Sequence, residues 1–287
     1  MPTIRQLTTG LATALHAVYP PAEADSIAGI VVEHLLQLSP LQRRMRSAEP
    51  VPAEVAAQIP PIQARLLLHE PLQYVLGVAY FAGLELEVTP ATLIPRPETE
   101  ELVALIIAEQ QGQPDLTIVD IGTGSGCIPI ALQQALRPKR VIGVDVSAAA
   151  LAVARRNAAR YNSPVEFLQA DILTQEPAEI AAYSLAVLVS NPPYVLENER
   201  PLMRRNVLDY EPATALFVPD HDPLLFYRRI GALGRRWLQP GGSLYFEINE
   251  QYAAELVTLL QGQGYARVEP RQDIFGKDRM MRATQNG

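Results

Sequence analysis

Residues 117–126 read TIVDIGTGSG: an apolar run carrying one acid, Asp120, and then Gly122, Gly124 and Gly126 at alternate positions. Glycines so spaced let the backbone turn sharply and approach a ligand closely, and the next helix begins near Cys127. A strand that ends in such a loop and feeds a helix is the opening unit of a doubly wound sheet with a small molecule bound at its edge. The loop alone does not choose the molecule, because dinucleotide-binding proteins place GxGxxG at the same point.

Outward from this loop the chain alternates. A helix over 98–110 precedes it, and after it come strands over 141–146 and 165–169 flanking a helix over 148–161. A strand over 184–190, a helix over 223–237, a strand over 243–248, a helix over 250–261 and two closing strands near 265–269 and 279–284 follow. This order predicts an α/β fold with a mostly parallel sheet covered on both faces. Residues 3–70 instead carry apolar side chains at helical spacing, as in Leu7, Leu11 and Leu15 and again in Ile27, Ile30 and Val31, punctuated by proline pairs. Between the two regions, Tyr80-Phe81 and the alternating Leu84-Glu85-Leu86-Glu87-Val88 read as a hairpin. The expected organisation is a helical domain over 1–70, a β-hairpin linker over 71–96 and a catalytic domain over 97–287.

Composition narrows the class. The chain has 287 residues, is 48% hydrophobic and contains a single cysteine, which excludes an intramolecular disulfide and fits a reducing cytoplasm. No cysteine or histidine spacing suggests a metal site, and no apolar stretch reaches the roughly 20 residues of a membrane span. A net charge of −7 argues against stable nucleic-acid binding as the main task.

The acids at the strand ends select the ligand. Asp120, ahead of the glycines, would repel a pyrophosphate but suits a cationic, amino-acid-like group. Asp145 ends the next strand, where it would take the hydroxyls of a ribose; Asp171 would accept from an adenine amine, with Ile172 packed on the ring. S-adenosyl-L-methionine has an ammonium group, a ribose and an adenine, and no phosphate. The expected cofactor residues are Asp120, Gly122, Thr123, Gly124, Ser125, Gly126, Asp145, Asp171, Ile172 and Asn191.

Asn191-Pro192-Pro193-Tyr194 then ends the strand over 184–190. Neither proline donates an N–H, and the residue before a proline is held extended, so the Asn191 side chain and the Pro192 carbonyl are presented rigidly as acceptors. Two acceptors can hold an NH₂ group whose nitrogen is a poor nucleophile, and Tyr194 is expected to offer an aromatic face to the flat group that carries it.

PLQYVLG (71–77), TPATLIPRPETEELV (89–103), DIGTGSGCIPIAL (120–132), NPPY (191–194), DYEPATAL (209–216) and DIFGKDRMM (273–281) together resemble the protein-(glutamine-N5) methyltransferases that modify peptide chain release factors, the PrmC/HemK family. The resemblance implies a class I S-adenosylmethionine-dependent methyltransferase fold, Rossmann-like with a seven-stranded mostly parallel sheet, behind a small N-terminal helical domain. It also implies methyl transfer to the glutamine of the Gly-Gly-Gln motif, S-adenosyl-L-homocysteine as product and a release factor as protein partner. It adds Arg96, Pro97 and Glu98 beside Asn191, Pro192, Pro193 and Tyr194 as substrate-pocket residues, with Glu211-Pro212 closing the site. NPPY alone is shared with enzymes that methylate a ribosomal-protein glutamine or the amino groups of DNA and RNA bases. A cofactor-binding module without catalysis is the reading from a different class.

Overall fold

In a computed structural model, which describes residues 1–286, the chain divides into two units. One comprises Met1–Gly77 with Arg204–Tyr210, the other Val78–Met203 with Glu211 onward.

The first unit is helical: α1 (Ile4–Leu15), α2 (Pro21–Leu36), α3 (Pro40–Met45), α4 (Ala53–Ala56), α5 (Ile59–Leu67) and α6 (Leu72–Leu76). Thr3 and Ser39 open α1 and α3 as capping boxes, each hydroxyl accepting from the backbone of a glutamine three residues on that bonds back to the cap N–H. Leu11, Leu15, Ala28, Val31 and Leu66 form its core. The helix over 72–76 was not expected from sequence, being only five residues long. Arg65 explains its persistence, since its guanidinium donates to the carbonyls of Tyr74 and Val75 near the end of α6 while pairing with Glu70.

The second unit opens with a hairpin, β1 (Val78–Phe81) and β2 (Leu84–Glu87), and continues through α7 (Pro97–Gln110), β3 (Thr117–Ile121), α8 (Cys127–Leu136), β4 (Arg140–Asp145), α9 (Ala148–Arg160), β5 (Glu166–Gln169), β6 (Leu185–Ser190) and β7 (Val195–Leu196). The short helix α10 (Arg205–Leu208) belongs to the first unit. Then follow β8 (Phe217–Val218), α11 (Leu225–Trp237), β9 (Leu238–Glu247), α12 (Ala253–Gly262), β10 (Tyr265–Gln272) and β11 (Asp278–Gln285). Seven strands form one sheet in the order β10-β11-β9-β6-β3-β4-β5, antiparallel only where β11 meets its two neighbours. Apolar residues of β3, β4, β6 and β9 face both ways: Val119, Leu188 and Phe246 pack under α11 and α12, while Ile118, Val187 and Tyr245 pack under α7 and α8.

Three strands of this unit also differ from the sequence expectation. Strand β9 begins five residues early, at Leu238, because Leu238 pairs with Leu185 before the register shifts and Val187 meets Ser243; the intervening Pro240-Gly241-Gly242 is a bulge rather than a preceding turn. Strands β7 and β8, two residues each and parallel, follow NPPY and carry no pattern long enough to read.

β3 lies between β4 and β6, so the chain leaves β3 toward one edge and later returns to its other side. The crevice this opens at the carboxyl ends of β3 and β6 is where ligands bind in such sheets. Asn157 on α9 braces it. Buried in full, its amide accepts from Glu87 N at 2.7 Å and donates to the carbonyls of Glu87 and Ser125, each at 2.9 Å, so one side chain joins the hairpin to the glycine loop. Replacing Asn157 with Ala leaves three backbone groups without partners, and denaturant unfolding should show a loss of about 2–4 kcal/mol. A loss within a few tenths would mean that water replaces the amide there.

Candidate active site

The turn after β3 is closed by backbone bonds before any side chain contributes. Gly122 and Thr123 N–H both donate to the Val144 carbonyl, at 2.8 and 3.0 Å, and Gly126 N–H donates to the Thr123 carbonyl. Gly122, Gly124 and Gly126 all have positive φ, a conformation that side chains strain. The loop in turn holds Asp145, whose carboxylate accepts from Gly124 N at 2.8 Å and from Ser147 N at 2.9 Å. On the other side of β3, the Ser190 hydroxyl donates to the Ile121 carbonyl at 2.6 Å and locks the end of β6 to the start of the loop.

Gly122, Gly124, Asp145, Asp171, Ile172, Asn191, Pro192 and Pro193 line a single cavity of about 410 Å³, within the range of small-molecule sites. A Cβ built on Gly124 would meet no protein atom within 4 Å, so the space beside it belongs to the cavity. The Asp171 carboxylate accepts from Leu173 N and the Thr174 hydroxyl, each at 3.0 Å, and the Ile172 carbonyl is held by Arg229 Nε at 2.8 Å. Further walls come from Ala91, Thr92, Leu93 and Thr214, inside the quoted segments 89–103 and 209–216 though not singled out there, and from Phe217, which lies outside any motif. Glu211 ties these walls together: its buried carboxylate accepts from Ile94 N at 3.2 Å and from the Arg96 guanidinium at 2.5 Å.

Other expected residues lie around the cavity without lining it. Thr123, Ser125 and Gly126, all buried, shape the loop from behind. Arg96 faces Glu211, and Pro97 and Glu98 form the first turn of α7. Tyr194 turns away from the main cavity. Its ring packs on the core below α11, its hydroxyl donates to Glu247 Oε1 at 3.0 Å, and it borders a second cavity of about 310 Å³ with Glu199, Leu202, Met203 and Arg279. A phenol anchored to a buried carboxylate is not free to lie flat on a ligand in the first cavity. Arg200 stacks on the Phe217 ring at 3.7 Å and pairs with Glu197. Burial pushes the Cys127 thiol up to about 12, which keeps it protonated and out of nucleophilic chemistry.

Sequence reading missed the residues behind Asn191. Its Nδ2 donates to Thr99 Oγ1 at 3.1 Å, and the Thr99 hydroxyl donates to Glu247 Oε2 at 2.6 Å. Glu247 is 1% exposed. For Glu247 the signal was a lone acid inside the apolar strand SLYFEI (243–248), which alternation alone would assign to an exposed face; Thr99 lies inside the quoted segment 89–103 but was not singled out there.

Asp120 is fully buried, and neither of its carboxylate oxygens has a hydrogen-bond partner. Burial pushes its carboxyl up to about 7; the neighbouring Thr123 hydroxyl, outside hydrogen-bond geometry, opposes the rise weakly, and the charge of Asp145 adds to it. An orphaned acid beside a glycine cradle is a demand for positive charge, and a ligand with an ammonium group fits it.

Comparison with known proteins places these features in context. Residues 7–77 match the family model described as the PrmC N-terminal domain, and residues 118–208 match a methyltransferase domain model. The chain is 42% identical to the release factor glutamine methyltransferase of Bacteroides thetaiotaomicron, over 98% of this chain and 99% of the relative. It is 39% identical to the enzyme of the same description from Flavobacterium psychrophilum, over 97% and 98% of the two chains. Among solved structures, a methyltransferase from Pyrococcus furiosus superposes with a TM-score of 0.53 at 18% identity, covering 78% of this chain and 98% of that one; the likeness is one of fold.

The state of Asp120 has a measurable consequence. Its folded carboxyl binds a proton more tightly than the unfolded one, so the stability it contributes is present in full below the ordinary value of 3.8 and is lost as pH rises toward about 7. The whole effect is on the order of 4 kcal/mol. Ligand-free protein should therefore show a melting temperature that falls across this interval, and Asp120→Asn should make the fall shallower, leaving the part due to Asp145 and Glu247, whose carboxyls burial also raises. A variant with the wild-type slope would assign the titration to another group.

Proposed function

The chain belongs to the release factor glutamine methyltransferase family, and from that premise we propose that it methylates the side-chain amide nitrogen of the glutamine in the Gly-Gly-Gln motif of peptide chain release factors, with S-adenosyl-L-methionine as methyl donor. The observation that carries this reading is that the glycine loop after β3 and Asn191-Pro192-Pro193 after β6 are walls of one cavity.

The donor supplies an electrophilic methyl group on a sulfonium and leaves as S-adenosyl-L-homocysteine; the protein supplies the rest. Gly122 and Gly124 bring the backbone close to the ligand, and Thr123, Ser125 and Gly126 fix the loop that carries them. Each Asp145 oxygen already accepts one backbone N–H and keeps a lone pair for a ribose hydroxyl. Asp171 and Ile172 receive the adenine, and Asp120 balances the ammonium charge from beneath the loop. An amide nitrogen is a weak nucleophile because its lone pair is delocalised into the carbonyl. Asn191 Oδ1 and the Pro192 carbonyl, accepting one N–H each, hold that nitrogen in line with the methyl group, and the contribution is one of orientation. Arg96 supports the wall next to it through Glu211, and Pro97 and Glu98 begin α7 beside that ion pair. Tyr194 acts through its anchor on Glu247 and not as a stacking surface.

A glutamine on an exposed loop offers the cavity few contacts, so affinity for a whole release factor requires a wider surface. We assign that role to the helical unit, residues 1–70 of which carry no residues of the chemistry. Ile30 on α2 and Leu41 and Met45 on α3 are exposed apolar side chains there. Translation termination places the reaction in the cytoplasm; among the described residues no helix is long and apolar enough to cross a membrane.

Incubation of a purified release factor with this protein and donor should add the mass of one CH₂, mapped to the Gly-Gly-Gln glutamine. Asn191→Ala should slow single turnover by roughly 10²-fold with the fold intact. Modification at another residue, or on nucleic acid, would overturn the substrate assignment. Leu41→Asp with Met45→Asp should raise KM for the intact factor by tenfold or more while leaving the rate at saturation and the turnover of a short Gly-Gly-Gln peptide unchanged. Equal loss on peptide and intact factor would leave the helical unit a stabilising part only.

A further inference from the structure

The Glu247 carboxylate is bound by two hydroxyls from opposite sides, Thr99 Oγ1 at 2.6 Å and Tyr194 Oη at 3.0 Å, while the Tyr227 hydroxyl donates to its backbone carbonyl at 3.1 Å. An ionised carboxylate only accepts, so Thr99 and Tyr194 must each turn their one hydroxyl hydrogen toward it. Thr99 Oγ1 is then left with lone pairs alone, and these face the Asn191 side chain at 3.1 Å. Only the Nδ2 end of that amide can answer a lone pair. The Oδ1 end is thereby turned the other way, and Asn191 lines the main cavity.

We propose that Glu247 is a positioning residue which, acting through the Thr99 hydroxyl, sets the direction of the Asn191 amide so that an acceptor and not a donor faces the substrate nitrogen. The assignment rests on the proposed reaction, in which that nitrogen carries two hydrogens and needs acceptors. Asn191 and Tyr194 are three residues apart, and the one carboxylate holds both, Asn191 through Thr99 and Tyr194 directly. The NPPY turn is thus gripped at both ends. An amide rotated by 180° has nearly the same shape and opposite polarity, so packing alone could not choose between the two orientations. A charge that accepts and never donates does choose.

The device has a pH dependence. Burial raises the Glu247 carboxyl above the ordinary carboxylate range, opposed by the Thr99 and Tyr194 hydrogen bonds; of the charged groups around it, Glu98 raises it further and Arg279 lowers it. Once protonated, the carboxyl can donate to Thr99, free the Thr99 hydrogen to swing to Asn191, and reverse the amide. Methyl transfer should therefore fall on the acid side, at a pH above that of an unperturbed glutamate.

Glu247→Gln tests this with almost no change of shape. The side-chain amide introduced at 247 can donate to Thr99, so single-turnover methylation of the release factor should fall roughly 10- to 100-fold, and the acid limb of the pH profile should disappear. KM for the factor and the affinity for donor should stay within about twofold, since the wider protein surface holds the factor and only the direction of one amide in the cavity changes. Thr99→Val should be as slow as Glu247→Gln, and Thr99→Ser, which keeps the hydroxyl, should be near wild type. The nitrogen-15 resonance of the Asn191 side-chain amide gives a readout that needs no turnover. It should shift in Glu247→Gln and Thr99→Val but not in Thr99→Ser. A Glu247→Gln enzyme with wild-type rate and acid limb, parallel losses in donor affinity, or an unmoved Asn191 resonance would each overturn the proposal. Wild-type protein that modifies no release factor would remove the substrate assignment, while the resonance would still decide the orientation of Asn191.

Discussion

The parallel pairing of β3 with β6 is the constraint from which the site follows. β3 also pairs with β4, so its two neighbours belong to segments that leave and re-enter the sheet on opposite sides, and the loops at its carboxyl end must diverge. Divergence leaves backbone N–H and C=O groups in need of partners. The protein supplies them internally with the Val144 carbonyl, the Asp145 carboxylate and the Ser190 hydroxyl, and it uses glycines where positive φ is required. The result is a rigid cleft with one wall from the glycine loop and the other from a proline pair.

Much of this was legible in the chain because it depends on short-range rules. The glycine spacing, the acids at strand ends and the two prolines each act within a few residues of their own position, and the apolar strands β3, β4 and β6 read as buried runs without any partner being known. Asp145, Asp171, Ile172 and Asn191 line the cavity because strand ends in a parallel sheet share one edge.

Residues whose placement depends on contacts distant in the chain were not legible. Tyr194 reads as an aromatic platform when only NPPY is considered. It turns inward because Glu247, 53 positions later, accepts its hydroxyl. Arg96 reads as a pocket cation and instead neutralises Glu211, 115 positions away. Strand β9 carries Glu247 on a face that alternation would leave to solvent, and its polar partners arrive from elsewhere in the chain, Thr99 with α7 and Tyr194 with the NPPY turn. Local pattern predicts where a side chain begins and not what it meets.

Two buried acids beside one cavity have opposite states, and the difference divides their roles. Glu247 receives two hydroxyls, so its charge is compensated in the protein and its effect passes outward through Thr99 to Asn191. Asp120 receives none, and its desolvation remains uncompensated. A protein that satisfied both would gain stability and lose the electrostatic reason for its ligand to stay, because an acid already paired inside has little left for an incoming cation. Leaving Asp120 unpaired makes ligand binding relieve an existing cost, whereas pairing Glu247 makes the acceptor geometry independent of whether a ligand is present. The donor side of the cavity is completed by what binds there; the acceptor side is complete before anything binds.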